Sequence, residues 1–105
     1  MTQAPEQRWR AEPVDGRQPE CGHLAGLPGS VTPAAECEDC VRDGTQWVHL
    51  RRCLTCQHVG CCDSSPQRHA TAHWHAEDHP VVASAEPGEH WAWCYADEAL
   101  LVPTA

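Results

Sequence analysis

Cysteine and histidine recur along this chain at intervals that suit metal coordination. Cys37 and Cys40 form one Cys-x-x-Cys pair and Cys53 and Cys56 a second. Cys61 follows, then His69, His73 and His79. Tetrahedral zinc sites draw four ligands from Cys and His, commonly in pairs two to four residues apart, so these eight side chains suffice for two closed sites. His69 and His73 are four residues apart and share one face of any helix that carries them. Spacing alone leaves two schemes open. In a sequential scheme Cys37/Cys40 share an ion with Cys53/Cys56. In a cross-braced scheme Cys37/Cys40 join Cys61/His69, and Cys53/Cys56 join His73/His79. A third set consists of Cys21 and His23 upstream with Cys94 near the end, completed by the carboxylate of Asp97, with Glu98 as the alternative oxygen donor. Carboxylate is a legitimate zinc ligand. Cys62 is left over beside Cys61.

Composition agrees with a metal-stapled domain. Among 105 residues there are six Leu, eight Val, no Ile and no Phe, against eight Cys and eight His. So few large apolar side chains are below what a packed core needs without help, and small domains in that position rely on metal, disulfides or association. Zinc is preferred to disulfides because His is interleaved with Cys at ligand spacing. The opening MTQAPEQRWR also lacks the apolar run of a signal peptide, so a cytoplasmic chain with reduced thiols is expected. No apolar stretch approaches a membrane span. The formal charge is −8, with seven Arg and no Lys, which fits poorly with a phosphate backbone, so nucleic acid is not an expected partner.

The elements that must position these ligands can be read coarsely. Residues 1–20, rich in Pro, Gln, Glu and Arg, read as a disordered or loosely attached arm, and 21–105 as the domain. Residues 21–36 read as a loop. Trp47 to Arg52 reads as a strand feeding the second Cys-x-x-Cys, and Val59 begins another extended piece. The main helix is expected over 65–77, with Ser65 as its N-cap, Pro66 in the first turn, and Pro80 preventing continuation. Val81 to Ser84 reads as a strand, Glu86-Pro87-Gly88-Glu89 as a turn, and His90 to Tyr95 as a strand that puts Trp91, Trp93 and Tyr95 on one side by its period of two. Leu100-Leu101-Val102 lies in a short tail.

The ordered pattern Cys-x-His, Cys-x-x-Cys, Trp, Cys-x-x-Cys-x4-Cys, His-x3-His-x5-His-Pro, Trp-Cys-Tyr, over residues 21 to about 98, resembles the UBP-type zinc finger, the ubiquitin-binding finger of deubiquitinases and some deacetylases. The resemblance implies an α+β fold, a small twisted antiparallel sheet with one main helix. It also implies three zinc ions in the cross-braced scheme: Cys37/Cys40/Cys61/His69, Cys53/Cys56/His73/His79, and Cys21/His23/Cys94 with Asp97 where the family has a Cys. It implies a pocket for a free C-terminal Gly-Gly tail, walled by the positions of Trp93 and Tyr95. Trp47 stands in the Trp-Val stretch of the family's pocket Trp, shifted by the intervening His-Leu-Arg-Arg. The family's carboxylate-holding Arg, two residues after the position of Cys61, is here Asp63, a reversal of sign. Arg51 and Arg52 offer a replacement cation. The expected function is therefore a monomeric protein- or peptide-binding module, with structural zinc and no catalysis. The sequence has no HExxH pattern, and the ligands complete the sites. A zinc- or redox-responsive regulator using Cys62 and the zinc thiolates is the alternative. The stand-alone, Arg-only, Pro/Ala-rich chain is bacterial in style.

Overall fold

The computed structural model describes residues 7–104. Six strands form one antiparallel sheet in the order β1-β6-β5-β4-β2-β3: β1 Trp9–Ala11, β2 Leu50–Cys53, β3 Val59–Cys61, β4 Val81–Ser84, β5 Ala92–Cys94 and β6 Ala99–Pro103. Two helices join it, α1 Glu38–Asp43 and α2 His69–Glu77. Both lie against β3, at the end of the sheet where two of the Cys-rich segments converge.

Alternation along the central strands divides the molecule. Ala92 and Cys94 of β5 point to a buried face, together with Val81 and Ala83 of β4, Ala99 and Leu101 of β6, and Trp9 and Ala11 of β1. Leu24 and Leu54 complete this cluster, with Leu27 and Val31 packed against it. A second cluster, under α1 and α2, consists of Leu50, Val59 and Ala85 with three cysteines, Cys37, Cys40 and Cys61. Half of that cluster is sulfur, as expected of a chain so short of large aliphatics.

The N-terminal segment differs from the expectation of a loose arm. Residues 1–6 lie outside the described residues, but 7–20 are part of the sheet and its margin. Trp9 pairs with Pro103 and Ala11 with Leu101, and Trp9 is only 2 % exposed. The Trp9 indole N–H donates to the carbonyl of Pro28 at 2.8 Å. Burying so large a ring outweighs the segment's polar, Pro-rich composition.

The helices differ in detail too. α1 is about a turn and a half that starts within the first Cys-x-x-Cys and runs past it to Asp43, with Cys37 as its N-cap: the Cys37 Sγ accepts the Cys40 N–H at 3.4 Å. α2 begins at His69, not at Ser65. Arg68 precedes it in the left-handed region, with φ 48° and no side-chain cap. The Ser65 hydroxyl is committed elsewhere, accepting the Val48 N–H at 2.9 Å. The first helical N–H, that of His69, instead donates to Cys61 Sγ at 3.2 Å. Sulfur thus satisfies helix-terminal donors at both helices.

Candidate metal centres and adjoining cleft

Three groups of donors converge in the described residues, and in each group one donor atom per residue lies within 4.8 Å of all the others. The first is Cys37, Cys40, Cys61 and His69; the second Cys53, Cys56, His73 and His79; the third Cys21, His23, Cys94 and Asp97. This is the cross-braced arrangement. Each of the first two groups takes one Cys-x-x-Cys pair, and α2 contributes one histidine to each. The sequential alternative is absent, and Glu98 is not in the third group.

The separations test whether zinc fits. Zn–S bonds of about 2.3 Å and Zn–N bonds of about 2.0 Å in a tetrahedron place sulfurs about 3.8 Å apart, and sulfur about 3.5 Å from nitrogen. In the first group Cys40 and Cys61 Sγ are 3.8 Å apart. His69 Nδ1 lies 3.5, 3.3 and 3.6 Å from the sulfurs of Cys37, Cys40 and Cys61. In the second, Cys53 Sγ is 3.6 Å from His79 Nδ1 and Cys56 Sγ is 3.2 Å from His73 Nε2. In the third, His23 Nδ1 is 3.6 Å from Cys94 Sγ and 2.9 Å from Asp97 Oδ2. All eight cysteines are free thiols, and 3.8 Å between sulfurs is far from a disulfide bond of about 2.05 Å. The donor sets fit zinc in all three groups.

Burial and protonation differ among them. Cys37, Cys40 and Cys61 are 0 % exposed, whereas in the third group His23 and Asp97 keep 42 % and 30 % of their side-chain surface. Burial pushes the Cys37 and Cys21 thiols up to about 12. Without a cation these cysteines are neutral, so loading a dication expels protons. Burial, with His58 and His79 nearby, lowers His73 and holds its imidazole in the neutral form that coordinates. Hydrogen bonding from Cys21, then from His23 and Cys94, holds Asp97 below the usual carboxylate range.

Beside the first group lies a cleft of about 270 Å³ lined by Arg51, Cys62, Asp63, Ser64, Val82, Trp91, Trp93 and Tyr95. Trp91, Trp93 and Tyr95 alternate with the buried Ala92 and Cys94, so the period of two along β5 delivers three aromatics to this wall. The Arg51 guanidinium carbon sits 4.6 Å over the Trp91 ring and Nη1 donates to the Leu50 carbonyl at 3.0 Å. Trp74 of α2 stacks on Tyr95 with 4.9 Å between ring centres and 8° between planes. Asp63 accepts a hydrogen bond from the Thr71 hydroxyl.

Of the five residues expected to contact a peptide, Arg51, Asp63, Trp93 and Tyr95 meet in this cleft. Trp47 does not line it. Its ring packs half-buried against the sulfur-rich cluster, because the residues between it and Cys53 place it before β2 begins. Trp91 takes a place in the wall, and its alternation with Trp93 and Tyr95 was the available signal. Arg52 points away, donating to the carbonyls of Thr32 and Gln57.

No helix among the described residues is long and apolar enough to cross a membrane. Residues 37–104 match the family described as Zn-finger in ubiquitin-hydrolases and other protein. The fold is similar to that of a Rhodopseudomonas palustris protein determined by NMR in solution, with 51% sequence identity, a TM-score of 0.70, and coverage of 81% of this chain and 83% of that one. No curated protein matches the chain significantly. Zinc binding and a protein-interaction role are supported jointly by the family match and by the three Cys/His groups. With residues 37–104, well over half of the chain, matched and the cross-braced donor groups in place, this chain belongs to the ubiquitin-hydrolase-type zinc-finger family.

Proposed function

We propose that the domain holds three structural zinc ions, one per donor group, and uses the cleft beside β5 to bind the C-terminal tail of a protein or peptide, without catalysis. The observation that carries the reading is the Arg51 guanidinium lying over Trp91 in an aromatic-walled cleft. A terminal carboxylate needs a cation, and Arg offers two parallel donors to it. Asp63 stands where the family resemblance implies that Arg, so the cation has moved from the turn after β3 to β2. The aromatics supply a flat wall for a narrow, extended tail. A tail of the Gly-Gly kind fits this wall, and the Asp63 carboxylate beside it can accept backbone N–H groups of the tail.

Four protein donors to each ion leave no position for a metal-bound water, which supports a structural rather than hydrolytic role. The free thiols suit a reducing cytoplasm, and the similar Rhodopseudomonas palustris protein suits a bacterial setting. Cys62 is outside all three donor groups, 6 % exposed, and lines the cleft. That burial favours a place in the wall over an accessible redox sensor.

The test is calorimetry or NMR titration with peptides ending in Gly-Gly, as free acid and as amide. Arg51→Ala is expected to weaken binding of the free acid about tenfold to a hundredfold, the scale of a lost charged hydrogen bond, and amidation is expected to do the same. Equal affinity of wild type and Arg51→Ala for the free acid would remove the reading.

A further inference from the structure

Between the first two donor groups runs a continuous line of polar side chains on α1, which the coordination itself does not require. His69, a donor of the first group, has its other ring nitrogen, Nε2, 3.7 Å from Asp43 Oδ2. Asp43 accepts from Arg42 Nε at 2.9 Å, and the Arg42 Nη1 reaches Asp39 Oδ1 at 3.1 Å. The His58 Nε2–H donates to the other oxygen of Asp39 at 2.8 Å. The His58 ring is stacked on His73, a donor of the second group, with 4.6 Å between centres and 16° between planes. Asp39 itself lies between Cys37 and Cys40, so the segment that supplies two donors to the first group also supplies the carboxylate that orients His58.

We infer that His58 is a positioning residue for the second metal centre. Held by Asp39, it fixes the plane of the His73 ring and makes retention of metal at the second centre depend on the α1 segment of the first. The inference rests on reading the two groups as zinc centres. Three features support it. The Asp39 side chain is only 16 % exposed and the His58 side chain 29 %, so their hydrogen bond is sheltered from competing water. A near-parallel ring at 4.6 Å restricts rotation of His73 about its terminal torsion, the motion that would take Nε2 away from Cys56 Sγ. Groups that orient a ligating histidine commonly change metal affinity about 10–100-fold when removed. His58 acts on the face of the His73 ring, not on its free nitrogen, and reports the position of α1 to α2.

The experiment follows loss of metal from the cadmium-loaded full chain by NMR after adding EDTA. The three centres differ in donor set, so their cadmium resonances separate. In wild type the signals of the first and second centres are expected to decay together. In His58→Ala the two-thiolate, two-histidine signal is expected to decay about tenfold sooner, while the three-thiolate signal keeps the wild-type rate. His58→Phe retains a ring to stack without the bond to Asp39, and is expected to fall between the two. Joint decay of both signals at the wild-type rate in His58→Ala would overturn the inference. So would an equal acceleration of all three signals, which is general loosening. A wild-type chain that takes up no metal would overturn the zinc reading itself, a failure separate from these.

Discussion

Chelation at neutral pH is expected to unfold this domain completely, with loss of the near-ultraviolet circular dichroism of its tryptophans and collapse of amide dispersion in NMR spectra. The argument is one of scale. A structural zinc contributes apparent binding free energy of about 10–16 kcal/mol to small modules, whereas whole domains are stable by only about 5–15 kcal/mol. Here the metal has little to fall back on. The cluster under the two helices is Leu50, Val59 and Ala85 with Cys37, Cys40 and Cys61, so three small thiols stand where another protein places branched aliphatics. Both helices begin at sulfur: Cys37 caps α1 and Cys61 takes the first N–H of α2. Removing the ion frees these sulfurs, and with burial pushing Cys37 up to about 12 the thiols return to the neutral form, a much weaker acceptor. Re-addition of zinc is expected to restore the spectrum and release protons, measurable with a pH indicator in weak buffer. Unchanged near-ultraviolet signal after the metal has gone would show that apolar packing suffices.

The same dependence explains what was legible in the sequence. Zinc donors are few in type and often closely spaced, so the members of the first two donor groups could be picked out from the Cys-x-x-Cys pairs, Cys61 and the spaced histidines, while the family pattern supplied their grouping and tied Cys21 and His23 to the distant Cys94 and Asp97. The strand around Trp93 showed its alternation locally, and the one at 81–84 showed itself as a short apolar run between Pro80 and the turn at 86–89. Trp9 gave no such sign. Its burial is decided by pairing with Pro103 at the far end of the chain, and a three-residue strand in a Pro-rich segment has almost no pattern of its own. Ser65 looked like a helix cap because a hydroxyl before Pro is a good one, but it faces Val48 across the fold, and a cysteine eight residues before the helix does the capping instead. The sequence offers Arg51 and Arg52 alike as the replacement cation. Only the register of β2 against β4, where Arg51 pairs with Ser84, carries it to the aromatic cleft and leaves Arg52 outside.

Gly60→Ala is expected to lower stability by about 3 kcal/mol in zinc-saturated protein, at the upper end of what overpacking costs, and to loosen metal at both of the first two centres. Gly60 lies in β3 directly before Cys61, and a Cβ placed on it would meet the Ala70 backbone N at 2.6 Å, its Cα at 2.8 Å and the His69 carbonyl carbon at 2.9 Å. These are main-chain atoms in the first turn of α2, so no side chain can rotate aside to make room. The strand or the helix must retreat, and the helix carries His69 into one donor group and His73 into the other. Glycine is required here for close approach of two backbones, since its φ is not in the left-handed region. Gly22, between two donors of the third group but with open space where a Cβ would go, provides the control: Gly22→Ala is expected to stay within about 0.5 kcal/mol of wild type. Denaturant midpoints at saturating zinc, together with metal content after dialysis, measure both variants. Gly60 also pairs with Arg51 across β2 and β3, so the shift that loosens the metal is expected to weaken tail binding. A Gly60→Ala protein with the stability and metal content of Gly22→Ala would mean that α2 is held to the sheet by something other than this contact.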